Sequence, residues 1–314
     1  MSLPFVLRDA KSGEAVSGAI PSLVIALGNF DGVHLAHAEI MKKAVSLANE
    51  LSAEAAVWLF DVHPQTYLTG RTQELLSSPS ERGCVAASFG VKYVVEARFS
   101  SLHGLEPEAF LQLLSDELNC VGAVCGFNYT FGVRGLGKAR DVAAYFGAHS
   151  HILPPYENGG EVVSSSAIRA LLTSGRIEKA NEFLGRPYSI CGKVIGGEKI
   201  GRTLGLPTAN IALPKDRVLP LSGVYLSAVT VGEECYPAIT NLGCKPTVRD
   251  DRSLLLETHL LDFSNDLYGR NICVSFLERI RDEKRFSSLD ELKEAILKDK
   301  EYAKAAWERR SSLT

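Results

Sequence analysis

The sequence has little net charge, no long apolar run and no secretion signal, and each of these absences excludes a class of protein. Its 34 Lys and Arg residues face 37 Asp and Glu residues, a formal charge of −3, so it lacks the basic character of a dedicated nucleic-acid binder. No apolar run approaches the roughly 18 residues that cross a bilayer. The first residues lack the charged-then-apolar pattern of a signal peptide. We therefore expect a cytoplasmic protein that binds neither nucleic acid nor a membrane.

The sequence also lacks any Cys-x-x-Cys pair among its seven cysteines. They are Cys84, Cys120, Cys125, Cys191, Cys235, Cys244 and Cys273. An odd number of cysteines without metal-ligand spacing is typical of reduced thiols that lie mostly in protein cores. We expect neither a disulfide framework nor a zinc site.

The pattern of apolar segments divides the sequence into two parts, as a length of 314 residues suggests. Short apolar runs at 23–27, 56–60, 91–95 and 121–125 alternate with helical patterns, which predicts a parallel sheet with helices on both faces. From residue 188 onward, short β-rich segments separated by Gly and Pro predict an antiparallel barrel or sandwich, followed by one C-terminal helix. We place the boundary near 184–187, and we assign no element to residues 1–18.

The segment Gly28-Asn29-Phe30-Asp31-Gly32-Val33-His34-Leu35-Ala36-His37 lies where the first buried strand gives way to a helix. Nucleotides bind at the carboxyl ends of parallel strands, where backbone amides approach phosphate. Two imidazoles three residues apart share one face of a first helical turn, and they could stabilise the charge of departing pyrophosphate. A metal pair, or two incidental helix histidines, is the alternative interpretation of His34 and His37.

This segment resembles the HxGH loop of the nucleotidyltransferases, and most closely their FAD synthetase branch, with Ala36 in place of the usual Gly. Two later segments, 125–132 (Cys-Gly-Phe-Asn-Tyr-Thr-Phe-Gly) and 163–169 (Val-Ser-Ser-Ser-Ala-Ile-Arg), resemble further segments of that family. The resemblance implies catalytic roles for His34 and His37. It also implies that ATP and its phosphates are bound by Gly28, Asn29, Phe30, Asp31, Asn128, Ser165, Ser166 and Arg169. A serine run before a helix could instead be only an N-cap.

In the second half, residues 201–210 (Gly-Arg-Thr-Leu-Gly-Leu-Pro-Thr-Ala-Asn) resemble a segment of riboflavin kinases, with Leu206 in place of Phe. Glycines and a proline alone are more typical of a plain turn. The resemblance implies an ATP- and flavin-binding loop formed by Gly201, Arg202, Gly205, Pro207, Thr208 and Asn210. It implies further that Thr208 and Asn210 hold Mg²⁺, a cation that prefers hard oxygen ligands.

Further matches to the kinase family follow at 220–225, 241–247, 256–263, 266–269 and 281–286. They make Glu257 the catalytic base that accepts the proton of the riboflavin hydroxyl. Without the family, a solvated strand glutamate would be the commoner interpretation. We expect His259 to be structural.

Taken together, these segments resemble the two-domain prokaryotic riboflavin kinase/FAD synthetase family from about residue 23 to residue 299. The resemblance implies an α/β Rossmann-like nucleotidyltransferase domain over residues 1–184. An antiparallel β-barrel riboflavin kinase domain with a C-terminal helix is expected over 185–314. The implied substrates are riboflavin, FMN and ATP, with Mg²⁺ as cofactor, FMN and FAD as products, and no obligate protein partner.

Three alternatives remain open at this point. The adenylyltransferase domain could be weak or inactive, with Ala36 as the reason. The chain could be a flavin-binding regulator without catalysis, although binding alone would not require the proton acceptor Glu257. It could also be another HxGH adenylyltransferase, although the β-rich second half does not suit those enzymes.

Overall fold

The computed structural model describes residues 3–196, 207–244, 254–284 and 286–311. The chain divides into two compact units, residues 1–167 and residues 168–314. Within the described ranges, no helix is both long and apolar enough to cross a membrane. Each unit is built around its own sheet.

The first unit is centred on a six-stranded sheet in the order β1-β4-β3-β2-β5-β8. Its central strands pair in parallel, as predicted, whereas β1 is antiparallel to β4 at the edge. The strands of this unit are β1 (Phe5–Asp9), β2 (Leu23–Leu27), β3 (Glu54–Phe60), β4 (Tyr93–Ala97), β5 (Cys120–Gly126), β6 (Thr130–Phe131), β7 (Gly137–Lys138), β8 (Ser150–Leu153), β9 (Glu157–Asn158) and β10 (Glu161–Val162).

The edge strand β1 was not expected from the sequence. Only Phe5 and Leu7 of its five residues are buried hydrophobic residues, and two apolar positions are too short a pattern to predict a strand. Its pairing partner, β4, lies more than eighty positions further along the chain. The strand is therefore specified by its partner and not by its own sequence.

Helices cover both faces of the sheet, as predicted. Within the first unit they are α1 (Leu35–Glu50), α2 (Pro64–Thr69), α3 (Pro79–Ser88), α4 (Phe99–Leu102), α5 (Pro107–Leu118) and α6 (Ala139–Phe146). Helix α7 (Ser165–Thr173) begins at the end of this unit, and α8 (Ile177–Leu184) lies in the second unit. Strand β2 is buried on both sides because its side chains alternate between two apolar clusters. Leu23, Ile25 and Leu27 pack with α5 and α6, whereas Val24 and Ala26 pack with α1 and α3.

The second unit is a closed six-stranded barrel, which decides between the barrel and the sandwich that the sequence allowed. The strand order is β11-β12-β15-β14-β13-β16, and β16 closes the barrel by pairing with β11. The strands are β11 (Tyr188–Ile195), β12 (Ala209–Ile211), β13 (Gly223–Val231), β14 (Glu234–Cys244), β15 (Leu254–Leu260) and β16 (Asn271–Arg281). Strand β12 was not predicted, because three residues give no readable periodicity.

The C-terminal helix α9 (Leu289–Ser311) packs against the outside of this barrel. Ala303 and Ala306 join an apolar cluster with Val224 and Leu226 of β13. Asp299, which is 6% exposed, accepts hydrogen bonds from the guanidinium of Arg281 at 2.8–3.1 Å. This two-pronged pairing fixes the helix in both position and rotation.

Helix α8 belongs to the same compact unit as the barrel. The amide of Asn181 donates to the carbonyl of Phe276 at 2.8 Å, and its Oδ1 accepts from the backbone N–H of Tyr188 at 2.7 Å. The units therefore divide between residues 167 and 168, earlier than the sequence-based boundary. The functional boundary at 184/185 stays a prediction.

Cys191 and Cys273 form a disulfide, so the expectation of reduced thiols throughout is wrong for this pair. The two residues face each other directly in the β11–β16 ladder, with their Cα atoms 4.0 Å apart. A separation of 82 positions conceals that proximity in the sequence. Cys120 and Cys125 are buried thiols, as expected, and burial raises their pKa values to about 12 and about 11.

We expect Cys191→Ser to lower the free energy of unfolding of the second unit by about 2–4 kcal/mol, because a crosslink over so long a segment restricts the unfolded chain. Denaturant unfolding without reductant measures this difference. Cys235→Ser, at an exposed free cysteine of the same unit, is the control and should change little. Two results together would contradict the crosslink. Wild type and Cys191→Ser would be equally stable, and an alkylating reagent would modify both Cys191 and Cys273 in the unreduced wild-type protein.

Candidate active sites

The loop between β2 and α1 brings the two predicted histidines together. His34 caps α1, and its Nδ1 accepts a long hydrogen bond of 3.4 Å from the backbone N–H of His37. The two rings stack with centroids 3.6 Å apart and planes 17° from parallel. Because Nδ1 of His34 is an acceptor, a neutral His34 carries its proton on Nε2. That N–H is a donor suited to an anion.

Two of the predicted nucleotide-binding residues turn their side chains into the protein. Phe30 is fully buried, and Asp31 is 2% exposed. The Asp31 carboxylate accepts hydrogen bonds from the backbone N–H groups of Leu76 and Ser77 at 3.0–3.1 Å. Any contact that Phe30 and Asp31 make with a nucleotide therefore comes from their backbone. Asn29, by contrast, is exposed.

Gly28 lies close to an aromatic ring within the same loop. A Cβ atom at this position would lie 3.0 Å from the ring of Phe30, which is tighter than an ordinary carbon–carbon contact. A side chain here would therefore require the Phe30 ring to shift by a few tenths of an ångström. Gly28 is half-buried where β2 ends, and the absence of a side chain suits this close packing.

The segment containing Asn128 leaves the sheet at the same edge as the histidine loop. Strands β2 and β5 pair in parallel, with Leu27 opposite Cys125, so both strands end together. The backbone N–H of Tyr129 then donates to the carbonyl of Gly126 at 3.0 Å and closes a turn. Asn128 is exposed in that turn. The two predicted segments are neighbours at the carboxyl edge of the sheet.

The N-terminus of α7 is attached to the histidine loop by Ser165. The Ser165 hydroxyl donates to the backbone carbonyl of Asp31 at 2.9 Å. Ser164 is the cap of the helix, since its Oγ accepts from the backbone N–H of Ala167 at 3.2 Å. The N-cap interpretation is therefore correct for Ser164, whereas Ser165 joins two loops. To donate to a phosphate, Ser165 would have to give up its bond to Asp31.

Ser166 and Arg169 occupy the first turns of α7 with different accessibility. Ser166 is exposed, and Arg169 is partly exposed one turn further along. Both residues lie near the N-terminal end of a helix, which favours anions.

Ala36 occupies an ordinary position in the first turn of α1. Its φ is not among the positive values of the chain, so no glycine conformation is required there. The residue is partly exposed. The methyl group of Ala36 therefore adds no backbone strain to the loop.

A group of aromatic rings at the ends of β3 and β4 was not predicted from the sequence. Tyr67 of α2 lies 5.4 Å from the ring of Phe99 and 5.0 Å from that of His103, and it is 43% exposed. Helices α2 and α4 follow β3 and β4, so these rings lie at the carboxyl edge as well. The signal was available in the sequence as aromatic residues just after two strand ends.

In the barrel, the strand register places Asn210, Glu257 and Asn241 in one row. Asn210 of β12 is the partner of Glu257 in β15, and Glu257 is in turn the partner of Asn241 in β14. Directly opposed residues share a face of the sheet, with Cβ atoms typically about 4.5–5.5 Å apart. The predicted base and one predicted magnesium ligand are therefore neighbours. Asn241 begins the matched segment 241–247, but the sequence assigned it no role.

Asn210 carries a buried oxygen with no hydrogen-bond partner among the described residues. The residue is 5% exposed, and its Oδ1 accepts no hydrogen bond from the residues that the structure describes. Most buried acceptors in proteins have a hydrogen-bond partner, and a bound ion or water is one way to supply it. A hard cation such as Mg²⁺ takes oxygen ligands of this kind, so Asn210 fits the predicted cofactor. In the described ranges, no cluster of three His, Cys, Asp or Glu residues could hold another metal.

His259 positions the start of the predicted ligand segment. It is 8% exposed, and its Nδ1 lies 2.8 Å from the carbonyl oxygen of Pro207, next to the half-buried Thr208. A carbonyl only accepts, so Nδ1 is the donor. Burial lowers the pKa of His259, which keeps the ring neutral near pH 7. Gly201, Arg202 and Gly205 lie outside the described residues.

Comparisons with known proteins match both halves of the chain. The family model for FAD synthetase matches residues 18–167, and the model for riboflavin kinase matches residues 184–307. Proteins from Listeria monocytogenes, Pseudomonas fluorescens and Escherichia coli K12, each named bifunctional riboflavin kinase/FMN adenylyltransferase, are 33%, 35% and 34% identical to this chain. The alignments cover 90%, 90% and 88% of this chain and 91%, 92% and 90% of the relatives.

A solved structure described as a macrolide-efflux protein from Streptococcus pneumoniae is also similar. It superimposes with a TM-score of 0.83 at 30% identity, covering 95% of this chain and 97% of its own. The likeness therefore extends over the α/β unit and the barrel unit.

Proposed function

This chain belongs to the family of bifunctional riboflavin kinases/FMN adenylyltransferases, and on that premise we propose which residues carry each reaction. The chain phosphorylates riboflavin with ATP to give FMN and ADP, and it transfers AMP from a second ATP to FMN to give FAD and pyrophosphate. The observation that carries the assignment is the separation of two residue groups. The stacked His34–His37 pair lies in one unit, and the Asn210–Glu257 row lies in the other.

In the adenylyltransferase reaction, a phosphate oxygen of FMN attacks the α-phosphorus of ATP, and pyrophosphate leaves with the electron pair of the broken bond. No protein nucleophile is needed, so catalysis consists of positioning and charge stabilisation. The Nε2–H of His34, the imidazole of His37 and the guanidinium of Arg169 would donate to the phosphate oxygens. Ser165, Ser166, Asn128 and the backbone of Gly28, Asn29, Phe30 and Asp31 would complete the ATP site.

The exposed ring of Tyr67, packed against the half-buried Phe99, offers a surface for the flavin. A flat aromatic ring system stacks on such rings over an apolar contact. Their place at the carboxyl edge of the sheet, where the histidine loop also begins, supports this role.

In the kinase reaction, the 5′-hydroxyl oxygen of riboflavin attacks the γ-phosphorus of ATP, and ADP leaves. Glu257 would accept the hydroxyl proton, the contribution expected of a carboxylate in phosphoryl transfer. Its position beside the unsatisfied oxygen of Asn210 supports this role over that of a solvated strand glutamate. Gly201, Arg202, Gly205 and Pro207 would bind ATP and the flavin, as the resemblance to riboflavin kinases implies.

Thr208 and Asn210 would hold Mg²⁺ in the kinase site. Magnesium neutralises charge on the phosphate oxygens when it is bound. The buried Oδ1 of Asn210 supports this assignment, and His259 is hydrogen-bonded to the carbonyl of Pro207, which precedes Thr208.

We propose 184/185 as the functional boundary, with residues 1–184 for FMN adenylylation and 185–314 for riboflavin phosphorylation. The ranges of the two family matches support this division. We also propose that the protein acts in the cytoplasm, on small molecules alone, without nucleic acid, membrane or an obligate protein partner. The alternative of an inactive adenylyltransferase has no support here, because the FAD synthetase family model matches residues 18–167 and the relatives are named as bifunctional enzymes. We carry no transport function over from the Streptococcus pneumoniae protein.

We expect Glu257→Gln to lower the rate of FMN formation by about 10²–10⁴-fold, the usual loss when a general base is removed. FAD formation from supplied FMN should continue at the wild-type rate, because Glu257 belongs to the barrel. Chromatography of flavins after incubation with ATP and Mg²⁺ measures both rates. Glu233→Gln, at an exposed position of the same unit, is the matched control. Loss of both activities in a folded Glu257→Gln protein would refute the division.

His37→Ala should have the opposite effect. Removing one donor to the developing charge should slow FAD formation by about 10²–10³-fold, while riboflavin phosphorylation is unchanged. His149→Ala, an exposed histidine of the same unit, should leave both rates intact. An unaltered rate of FAD formation in His37→Ala would show that the imidazole does not act on the phosphates.

A further inference from the structure

The histidine loop has a backbone that other residues must hold in place. Phe30 has a φ of 50° and Val33 a φ of 39°, both in the left-handed region that non-glycine residues avoid, and Gly32 has a φ of 85°. A β-branched residue such as Val33 is an outlier there. Conformations of this kind persist only where the surrounding structure enforces them. Neighbouring residues must therefore stabilise the left-handed backbone of this loop.

The segment before α3 holds the histidine loop through hydrogen bonds and a side-chain contact. The backbone N–H groups of Leu76 and Ser77 donate to the carboxylate of Asp31, and the Ser77 Oγ accepts from the backbone N–H of Gly32 at 2.8 Å. The side chain of Leu76 also lies against Gly32, where a Cβ atom would come within 2.8 Å of it. Residues 76 and 77 therefore bind the middle of the histidine loop from one side.

Arg82 connects the same two segments from within the protein. It is 3% exposed on α3, and it donates through Nε and Nη2 to the carbonyl of Ser77 at 3.2 and 3.0 Å. Its Nη1 donates to the carbonyl of Asn29 at 3.1 Å, and Nη2 lies 3.6 Å from the carboxylate of Asp31. One planar guanidinium thus contacts both the segment before α3, at Ser77, and the histidine loop, at Asn29 and Asp31. A lysine ammonium cannot make these contacts in the same geometry.

The N-terminus of helix α3, which carries Arg82, is stabilised by a capping box. Ser78 caps the helix by accepting from the backbone N–H of Glu81 at 3.3 Å, and the Glu81 carboxylate accepts from the backbone N–H of Ser78 at 2.6 Å. This reciprocal pair is a capping box. The guanidinium is therefore carried by a fixed helix end.

We propose that Arg82 is a positioning residue of the adenylyltransferase, which acts by holding the backbone of residues 29–32, so that His34 is presented to the nucleotide. The proposal rests on the proposed function of that loop. Arg82 does not itself bind phosphate, because its guanidinium is buried and turned toward backbone carbonyls. Its charge balances the buried carboxylate of Asp31, which would otherwise repel the anionic substrate.

The test compares Arg82→Lys with Arg140→Lys in the full-length chain, and measures kcat and KM for ATP in both reactions. Arg140 is 85% exposed on α6 and pairs only with its neighbour Asp141 among the ion pairs described, so it is the matched control. We expect Arg82→Lys to lower kcat/KM for ATP in FMN adenylylation by about 10²-fold, the loss typical of a misplacement of about 1 Å. The riboflavin kinase parameters should not change.

A purely structural role would give a different result. If Arg82 only stabilises the unit, the folded molecules keep wild-type KM for ATP, and the rate falls only by the unfolded fraction, which circular dichroism measures. If Arg82→Lys does not fold, Ser77→Ala removes only the acceptor for the Gly32 N–H, and it should raise KM for ATP severalfold. Unchanged kcat and KM in a folded Arg82→Lys protein would overturn the proposal.

The same assay separates this inference from the function on which it depends. Wild-type protein that forms no FAD from FMN would refute the proposed function, and the role of Arg82 would fall with it. Wild-type protein that forms FAD, together with a fully active Arg82→Lys variant, would refute the positioning role alone.

Discussion

Strand register is the constraint on which both candidate sites depend. In the α/β unit, pairing of Leu27 with Cys125 makes β2 and β5 end together, so the histidine loop and Asn128 leave the sheet at one edge. In the barrel, pairing of Asn210 with Glu257 places the proposed magnesium ligand beside the proposed base. A slip of one residue would turn either member of that pair to the opposite face of its strand. The chemistry is therefore set by backbone hydrogen bonds far more than by local sequence.

Much of the fold could be predicted because the signals are local. The buried run of β2 and the apolar face of α1 are readable from adjacent residues. The elements that could not be predicted depend on distant partners. Strand β1 needs β4, three-residue β12 needs its neighbours in the barrel, and the disulfide needs the β11–β16 register. Each of these features is produced by pairing between residues that are far apart in the chain.

The sequence could predict which residues belong to each candidate site. It could not predict which side chains face a ligand and which only hold the site together. A motif marks a segment without indicating which of its side chains face a ligand. In the histidine loop, His34 presents a donor, whereas Phe30 and Asp31 are buried and serve the loop itself. Ser165 likewise holds Asp31. Arg82, which holds the loop together, lies outside every motif, because its role comes from its position in space.

Division of two reactions between two independent sites is the central claim, and mixing two defective proteins tests it most directly. Glu257→Gln and His37→Ala are combined in equal amounts with riboflavin, ATP and Mg²⁺, and FAD is measured over time. Independent sites predict that the mixture forms FAD although neither variant does so alone, since FMN made by His37→Ala is used by Glu257→Gln. A mixture that accumulates FMN and forms no FAD, while Glu257→Gln still adenylylates supplied FMN, would contradict the claim.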